Sequence, residues 1–146
     1  MLKVYIDMSA LNRIFDDQSQ SRIYFESSAM IIVYSLIEEK KIELYSSDIH
    51  EYENGKNPFQ DKKVFIENVI ELSKRFREVD EKVLKVAEHI ESEFGIKSFD
   101  ALHLACAEIM GSEYFITCDD KLIKKYKGEL KVVDPVKFVH EAIYGG

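Results

Sequence analysis

LKVYIDMSALN, residues Leu2 to Asn12, is the stretch whose reading decides the fold. Leu2, Val4 and Ile6, with Tyr5 among them, make a short strand, and Asp7 stops it at its C-terminal end. In an open α/β sheet, ligands bind beyond the carboxyl ends of the strands, so Asp7, with Ser9 and Asn12 behind it, is placed at the rim of a crevice. Asp is also a common turn and helix-capping residue after a strand. Both readings predict a polar edge at the end of the first strand.

Working outward, strands and helices alternate. After a polar turn at Arg13 to Gln20, the spacing of Ile23, Ala29, Met30, Val33, Leu36 and Ile37 predicts a helix from Arg22 to Lys40. Ile42, Leu44 and Tyr45 form a second strand, with Ser46 and Ser47 placed to cap a helix near Asp48, and Asp48 and Glu51 placed to form a capping box. That helix breaks at Asn54-Gly55-Lys56-Asn57-Pro58, and another is expected from Phe59 to Phe76. Arg77 to Val79 reads as a very short strand, followed by a helix that presents Val83, Val86, Ala87, Ile90 and Phe94 and ends at Gly95. Ser98 caps a helix from Phe99 to Met110, and Glu113 to Thr117 is a strand ending in Cys118-Asp119-Asp120. A basic helix, Lys121 to Lys127, a strand, Leu130 to Val133, and a helix beyond Asp134-Pro135 complete the pattern. Such alternation implies parallel strands joined by right-handed crossovers. With no internal repeat or linker evident, residues 1–146 are expected to form one domain.

Four acids occupy related places in that pattern. Asp7 and Asp119 follow strands, while Glu53 and Asp100 lie in the opening turns of helices. Strand C-termini and the following helix N-termini share one edge of a parallel sheet, so these carboxylates are expected to converge. Glu51 competes with Glu53 for the second position. At about 100° per residue, Ile49 and Tyr52 define a buried side to which Glu53 is closer. Converging carboxylates repel one another and raise each other's pKa, a cost that a cation relieves. An all-oxygen donor set suits Mg²⁺ or Mn²⁺, which can activate water and stabilise a phosphodiester under in-line attack. Asp120 is either a further acid of the cluster or a helix cap, and His103 either touches the site or is a satisfied histidine of the interior. Asn12 and Arg13 either meet a substrate phosphate or make surface hydrogen bonds.

Composition narrows the field. With 27 acids against 20 bases the net charge is −7, which argues against a protein that holds nucleic acid by a broad basic face. Local basic clusters remain at Lys62-Lys63, at Lys74, Arg75 and Arg77, and from Lys121 to Lys127. Cys106 and Cys118 lack the spacing of a zinc site or disulfide framework, and neither has a paired base that would make it a nucleophile. The opening residues lack the pattern of a secretory signal, and the apolar run Ala29 to Tyr34 is too short to span a bilayer. The expectation is a cytoplasmic protein without membrane contact.

The segments VYIDMSALN at Val4 to Asn12, SSDIHEYE ending at Glu53, SFDALHLACAEIMG at Ser98 to Gly111 and YFITCDDKL at Tyr114 to Leu122 together resemble the PIN domain family. The D-A-L-H-L-A block, followed after a glycine by a strand and T-x-D, is the most specific part. The resemblance implies a three-layer α/β/α fold with a parallel five-stranded sheet. It also implies ribonuclease activity with one or two Mg²⁺ or Mn²⁺ ions held by Asp7, Glu53, Asp100 and Asp119, supported by Ser9 and Thr117. RNA is the implied substrate, and pairing into dimers and an antitoxin partner are the implied protein contacts. An inactive PIN-like interaction module would keep the fold without the chemistry. A phosphoacceptor receiver domain fits less well because Asp7 stands alone after the first strand, and a haloacid-dehalogenase-type phosphatase because Ser9 stands where a second Asp is needed.

Overall fold

Val4, Tyr5 and Ile6 have no exposed surface, because the strand they form is central to the sheet and covered on both faces. The computed structural model describes residues 1–145. Strands β1 (Lys3–Ile6), β2 (Glu43–Ser47), β3 (Arg75–Arg77), β4 (Tyr114–Ile116) and β5 (Lys131–Val133) form one all-parallel sheet in the order β3-β2-β1-β4-β5. The register pairs Val4 with Leu44 on one side and with Tyr114 on the other. Because the chain first builds outward from β1 through β2 to β3 and then returns to place β4 on the other side, the strand order reverses at β1 and β4. Beyond their carboxyl ends a parallel sheet leaves a crevice.

Alternation along β1 divides the core in two. Val4 and Ile6 pack with Leu44, Ile116 and Val133 against Met30 and Val33 of α2 (Ser21–Glu38), Ile66, Val69 and Ile70 of α4 (Gln60–Glu71), and Phe138 of α8 (Pro135–Phe138). Tyr5 faces the other way, with Tyr45 and Phe115, against Val83, Ala87 and Ile90 of α5 (Glu81–Phe94) and Ala101, Leu104 and Ala105 of α6 (Ser98–Ile109). The result is the expected three-layer α/β/α arrangement. Three shorter helices, α1 (Met8–Leu11), α3 (Asp48–Gly55) and α7 (Asp120–Lys125), begin at the carboxyl ends of β1, β2 and just past β4, and carry polar groups to that edge. Gly95 ends α5 with φ +66°, a left-handed conformation that glycine adopts without strain.

Several local expectations are corrected. Helix α4 stops at Glu71, not near Phe76, because residues 75–77 are drawn into the sheet as β3, where Arg75, Phe76 and Arg77 pair with Tyr45, Ser46 and Ser47. The short strand therefore lies two residues earlier than the sequence pattern placed it. Lys97, not Ser98, occupies the cap position of α6. The last helix widens after Phe138 into a π-turn, Val139–Ile143. On α3 the buried residues are Ile49, His50 and Asn54, whereas Tyr52 stands 51% exposed.

His50 explains that difference. It completes the capping box of α3 in place of the expected Asp48 and Glu51: the Ser47 hydroxyl accepts from the Ile49 N–H at 3.2 Å, and the Ser47 N–H donates to His50 Nδ1 at 3.1 Å. Since Nδ1 accepts, Nε2 carries the proton and donates to the Ile6 carbonyl at 2.6 Å. One neutral imidazole thus ties the end of β1 to the start of α3. Asp48 instead accepts from the Val79 N–H at 2.7 Å and anchors the segment after β3.

Burial of the imidazole among apolar neighbours, with His103 beside it, pushes its pKa from 6.5 down to about 3. The unfolded chain therefore binds a proton that the folded chain refuses between those values, and stability must fall as pH drops through that window. Between about pH 6 and pH 4, urea denaturation of the parent should lose up to about 1.4 kcal/mol per pH unit more than His50→Gln does. Equal slopes would show that His50 is not buried neutral.

Candidate active site

Asp7 is almost fully buried at the end of β1, and its carboxylate accepts from two local donors and one distant in the chain. Its Oδ1 accepts from the Ser9 hydroxyl at 2.7 Å and the Ala10 N–H at 3.0 Å, and its Oδ2 accepts from the Thr117 hydroxyl at 2.5 Å. The residue is therefore the cap of α1 and the acid at the switch point at once; the two readings of its place in the sequence do not compete. Burial raises its pKa, and the hydrogen bonds from Thr117, Ser9 and Ala10 oppose that rise. Ser9 also accepts from the Cys118 N–H at 3.0 Å, and Thr117 Oγ1 from the Asp119 N–H at 3.1 Å. Ser9 and Thr117 thereby tie the loop after β4 to the end of β1.

The other acids approach from neighbouring elements. Asp100, in the first turn of α6, has its pKa raised by partial burial and then by the negative charges of Asp7, Asp119 and Glu53. Asp7, Asp119 and Glu53 thus each lie close enough to Asp100 to act on its charge. Asp119 caps α7, accepting from the Lys121 N–H at 2.9 Å and the Leu122 N–H at 3.3 Å through Oδ1. Glu53 is half-buried on α3, one turn beyond the buried Ile49, while Glu51 is exposed and lines a cleft with Asn54, Glu67 and Glu71. The neighbour expected to orient Glu53, Tyr52, is instead its exposed companion.

The sequence left His103 open between touching the site and being a satisfied interior histidine, and the residue does both; what the sequence did not reveal is that it holds Glu53. Its Oε1 pairs with His103 Nε2 of α6. His103 Nδ1 lies 2.5 Å from the phenol oxygen of Tyr5, which lies 2.7 Å from Ser47 Oγ. Burial raises the Tyr5 pKa well above its ordinary value, so the phenol keeps its proton. One proton assignment satisfies every partner: the Ser47 hydroxyl donates to the Tyr5 oxygen, the phenol donates to Nδ1, and Nε2–H donates to Glu53. The signal available in the sequence was the polar tip on Tyr5, an inward strand position whose hydroxyl needs a partner.

Three other candidates are engaged elsewhere. Arg22 grips both oxygens of Asp120 at 2.6 and 2.7 Å on the surface, so Asp120 sits next to the cluster in sequence but is committed to another partner. Arg13 bonds Glu26 at 2.9 and 2.7 Å and Asp16 at 3.1 Å, which compensates the nearly buried Glu26 carboxylate. Asn12 donates to the Met8 carbonyl at 3.1 Å. Cys106 and Cys118 are buried free thiols, and burial pushes Cys106 up to about 11.

Donor chemistry fits a hard divalent cation: the four groups are all carboxylates, and the Asp100 carboxyl is raised first by partial burial and then by the charges of the other three. Among the described residues, no three His, Cys, Asp or Glu side chains are already drawn together as a metal cage. The hydrogen bonds explain this arrangement, since Glu53 is turned onto His103 and Asp7 onto Ser9, Thr117 and Ala10.

Comparison with known proteins supplies the context. A model of the PIN domain matches residues 4–128. Among solved structures, the chain is similar to the DNA-bound VapBC of Salmonella typhimurium, with a TM-score of 0.62 and 14% identity over 92% of this chain and 99% of that one. It is similar also to VapBC2 of Rickettsia felis bound to a DNA fragment from their promoter, with a TM-score of 0.56 and 14% identity over 90% and 97%. A third neighbour is PAE2754 of Pyrobaculum aerophilum, with a TM-score of 0.56 and 17% identity over 99% and 98%. At such identities the likeness shows the fold alone. No curated protein matches by sequence.

The Thr117 hydroxyl is the donor that joins β4 to the buried Asp7 carboxylate. Replacing it by the isostere in Thr117→Val should cost about 1.5–3 kcal/mol in urea denaturation, the usual worth of a hydrogen bond to a charged group. Thr117→Ser should recover most of that. A loss equal in both variants would show that the methyl, not the hydroxyl, matters there.

Proposed function

We propose, from the premise that this chain belongs to the PIN domain family, that it is an Mg²⁺- or Mn²⁺-dependent endoribonuclease in which Asp7, Glu53, Asp100 and Asp119 hold the metal. The observation that carries this reading is the Asp7 carboxylate buried at the end of the central strand, the edge where a parallel sheet binds ligands. Asp100 lies close enough that its carboxyl is raised first by partial burial and then by Asp7, Asp119 and Glu53. Carboxylates that act on one another's charge are costly without a cation, and their oxygens match the preference of Mg²⁺ or Mn²⁺.

When bound, such an ion supplies an activated water and charge stabilisation for the phosphodiester oxygens. The chain's own residues do the positioning. Ser9, Thr117 and the Ala10 N–H fix the Asp7 carboxylate, and Asp119 is fixed by the first turn of α7. His103 holds Glu53 at the rim, and Asp100, like Asp7, is an acid whose pKa is raised by burial. Asp120 supports the site from outside it, joining the start of α7 to Arg22 of α2.

Residues 1–146 act as a single nuclease domain in this reading, in the cytoplasm. No helix among the described residues is long and apolar enough to cross a membrane. A toxin role with an antitoxin protein as partner is part of this reading, supported by the family and by the fold shared with VapBC complexes. Pairing of two copies is supported by the uncharged exposed face of α2 carrying Tyr24, Phe25, Ile31 and Ile32.

The test is cleavage of end-labelled single-stranded and hairpin RNAs with Mn²⁺, Mg²⁺ or chelator, using the parent, Asp7→Asn and Asp100→Asn. Cleavage should require the cation and fall by at least about 100-fold in both variants, with their far-ultraviolet spectra unchanged. Activity that persists in chelator, or in both folded variants, would sink the proposal. Failure of the parent both to bind Mn²⁺ and to cleave would favour the inactive interaction module.

A further inference from the structure

Two of the four acids are each preceded by an exposed aromatic residue. Tyr52 before Glu53 and Phe99 before Asp100 are 51% and 44% exposed, and their rings stack with centroids 5.6 Å apart. Beyond Glu53, the connection between α3 and α4 carries a third, Phe59, which is 57% exposed. It lines a cleft of about 390 Å³ together with Phe15, Glu53, Lys56 and Lys62. That volume lies within the roughly 300–1,000 Å³ span of small-ligand sites.

The two lysines of the cleft are held by ring faces. Lys56 Nζ lies 4.3 Å from the centroid of Tyr52, and Lys62 Nζ lies 4.3 Å from Phe59 and 5.7 Å from Phe15. Neither makes an ion pair with a carboxylate among the described residues, in a chain where acids outnumber bases. Asp16, the other acid lining the cleft, is paired with Arg13 at 3.1 Å. Ring faces and unpaired ammonium groups beside one another are what an unpaired nucleotide needs: a face for its base and a cation for its phosphate. A duplex hides its base faces in the stack and could use only the cations.

We propose that the cleft between Phe15 and the α3–α4 connection is a binding subsite for an unpaired nucleotide next to the bond being cleaved. The base stacks on Phe59, and Lys56 and Lys62 turn from the rings to the neighbouring phosphates. An exposed cation–π contact is weaker than base stacking, so the base displaces Lys62 from the ring and the freed ammonium is gained by the phosphate. Glu53 joins the cleft to the acid cluster, which sets the order along the strand: scissile phosphate at the acids, stacked base in the cleft. The Tyr52–Phe99 pair borders the same path. This assignment rests on the ribonuclease reading for its substrate and deepens it by naming where the strand lies and why it must be single.

The experiment measures binding apart from cleavage. Fluorescein-labelled oligoadenylate, alone or annealed to oligouridylate, is titrated with parent protein, Phe59→Ala, Lys56→Gln and Lys62→Gln in Ca²⁺ by fluorescence anisotropy at several KCl concentrations. These side chains are not part of the core, so thermal melts should match the parent. The parent should prefer the single strand. Phe59→Ala should weaken it by about 5- to 150-fold with the salt slope unchanged, as expected for a lost stack. Each lysine variant should lower the slope of log K against log salt by about 0.7, one phosphate contact on a single strand. Equal affinity of the parent and Phe59→Ala, a preference for the duplex, or binding of polyglutamate with no binding of oligoadenylate would overturn the subsite. A parent that binds in this pattern but never cleaves with Mn²⁺ would remove the nuclease reading and leave the subsite standing. Cleavage by the parent with unchanged binding in all three variants would do the opposite.

Discussion

A buried carboxylate at the end of the central strand is the constraint on which the rest depends. Taking an ion out of water costs several kcal/mol, and Asp7 is tolerable there only because Ser9, Ala10 and Thr117 supply donors to it. Those donors come from the turn after β1 and from the residue after β4. The adjacency of the two strands, the tight turn into α1 and the position of the loop that carries Asp119 are therefore linked through one side chain. A sheet order that separated β1 from β4 would leave Asp7 buried and short of a donor.

The opposite side of β1 carries a second polar system of different character. Tyr5, His103, His50 and Ser47 are all nearly or fully buried, and each finds its partner within this group, on the backbone or on Glu53. Their rings lie close together, with Tyr5 4.7 Å from His50 and His50 4.9 Å from His103. In the low dielectric of the interior such a network is stable only when fully connected, and this one is anchored on β1, β2, α3 and α6. It sets where α3 and α6 begin relative to the sheet. That in turn fixes Glu53 and Asp100, the two acids carried by those helices. The acidic edge is thus held from both faces of β1: from one by hydroxyls on Asp7, from the other by an imidazole on Glu53.

An acidic overall charge is compatible with the proposed nucleic-acid substrate in this layout. Asp7 lies buried at the switch point, while Arg13 and Arg22 are spent on Glu26, Asp16 and Asp120. Lys56 and Lys62 remain over aromatic rings beside the acids. Net charge describes the whole surface, and a strand of nucleic acid samples only the path along which it lies.

The sequence by itself determined the alternation of strands and helices, the acid after the first strand, and the family to which D-A-L-H-L-A and T-C-D point. These are local or periodic features, and the chain states them wherever a period of two or of 3.6 is sustained. It also favoured Glu53 over Glu51 on α3, but through the wrong neighbour: Tyr52 was expected inside, and His50 is there instead. Only the tertiary structure decided that, because a histidine becomes a helix cap and a strand clamp when the Ser47 N–H and Ile6 carbonyl are brought to its two nitrogens. Likewise the ends of α4 and β3 were settled by a ladder with β2, a partner thirty residues away in the chain, and not by the apolar spacing through Leu72. The partners of His103 and the Arg22–Asp120 pair are long-range for the same reason: a side chain's local neighbours say what it is, and only the packed sheet says what it meets.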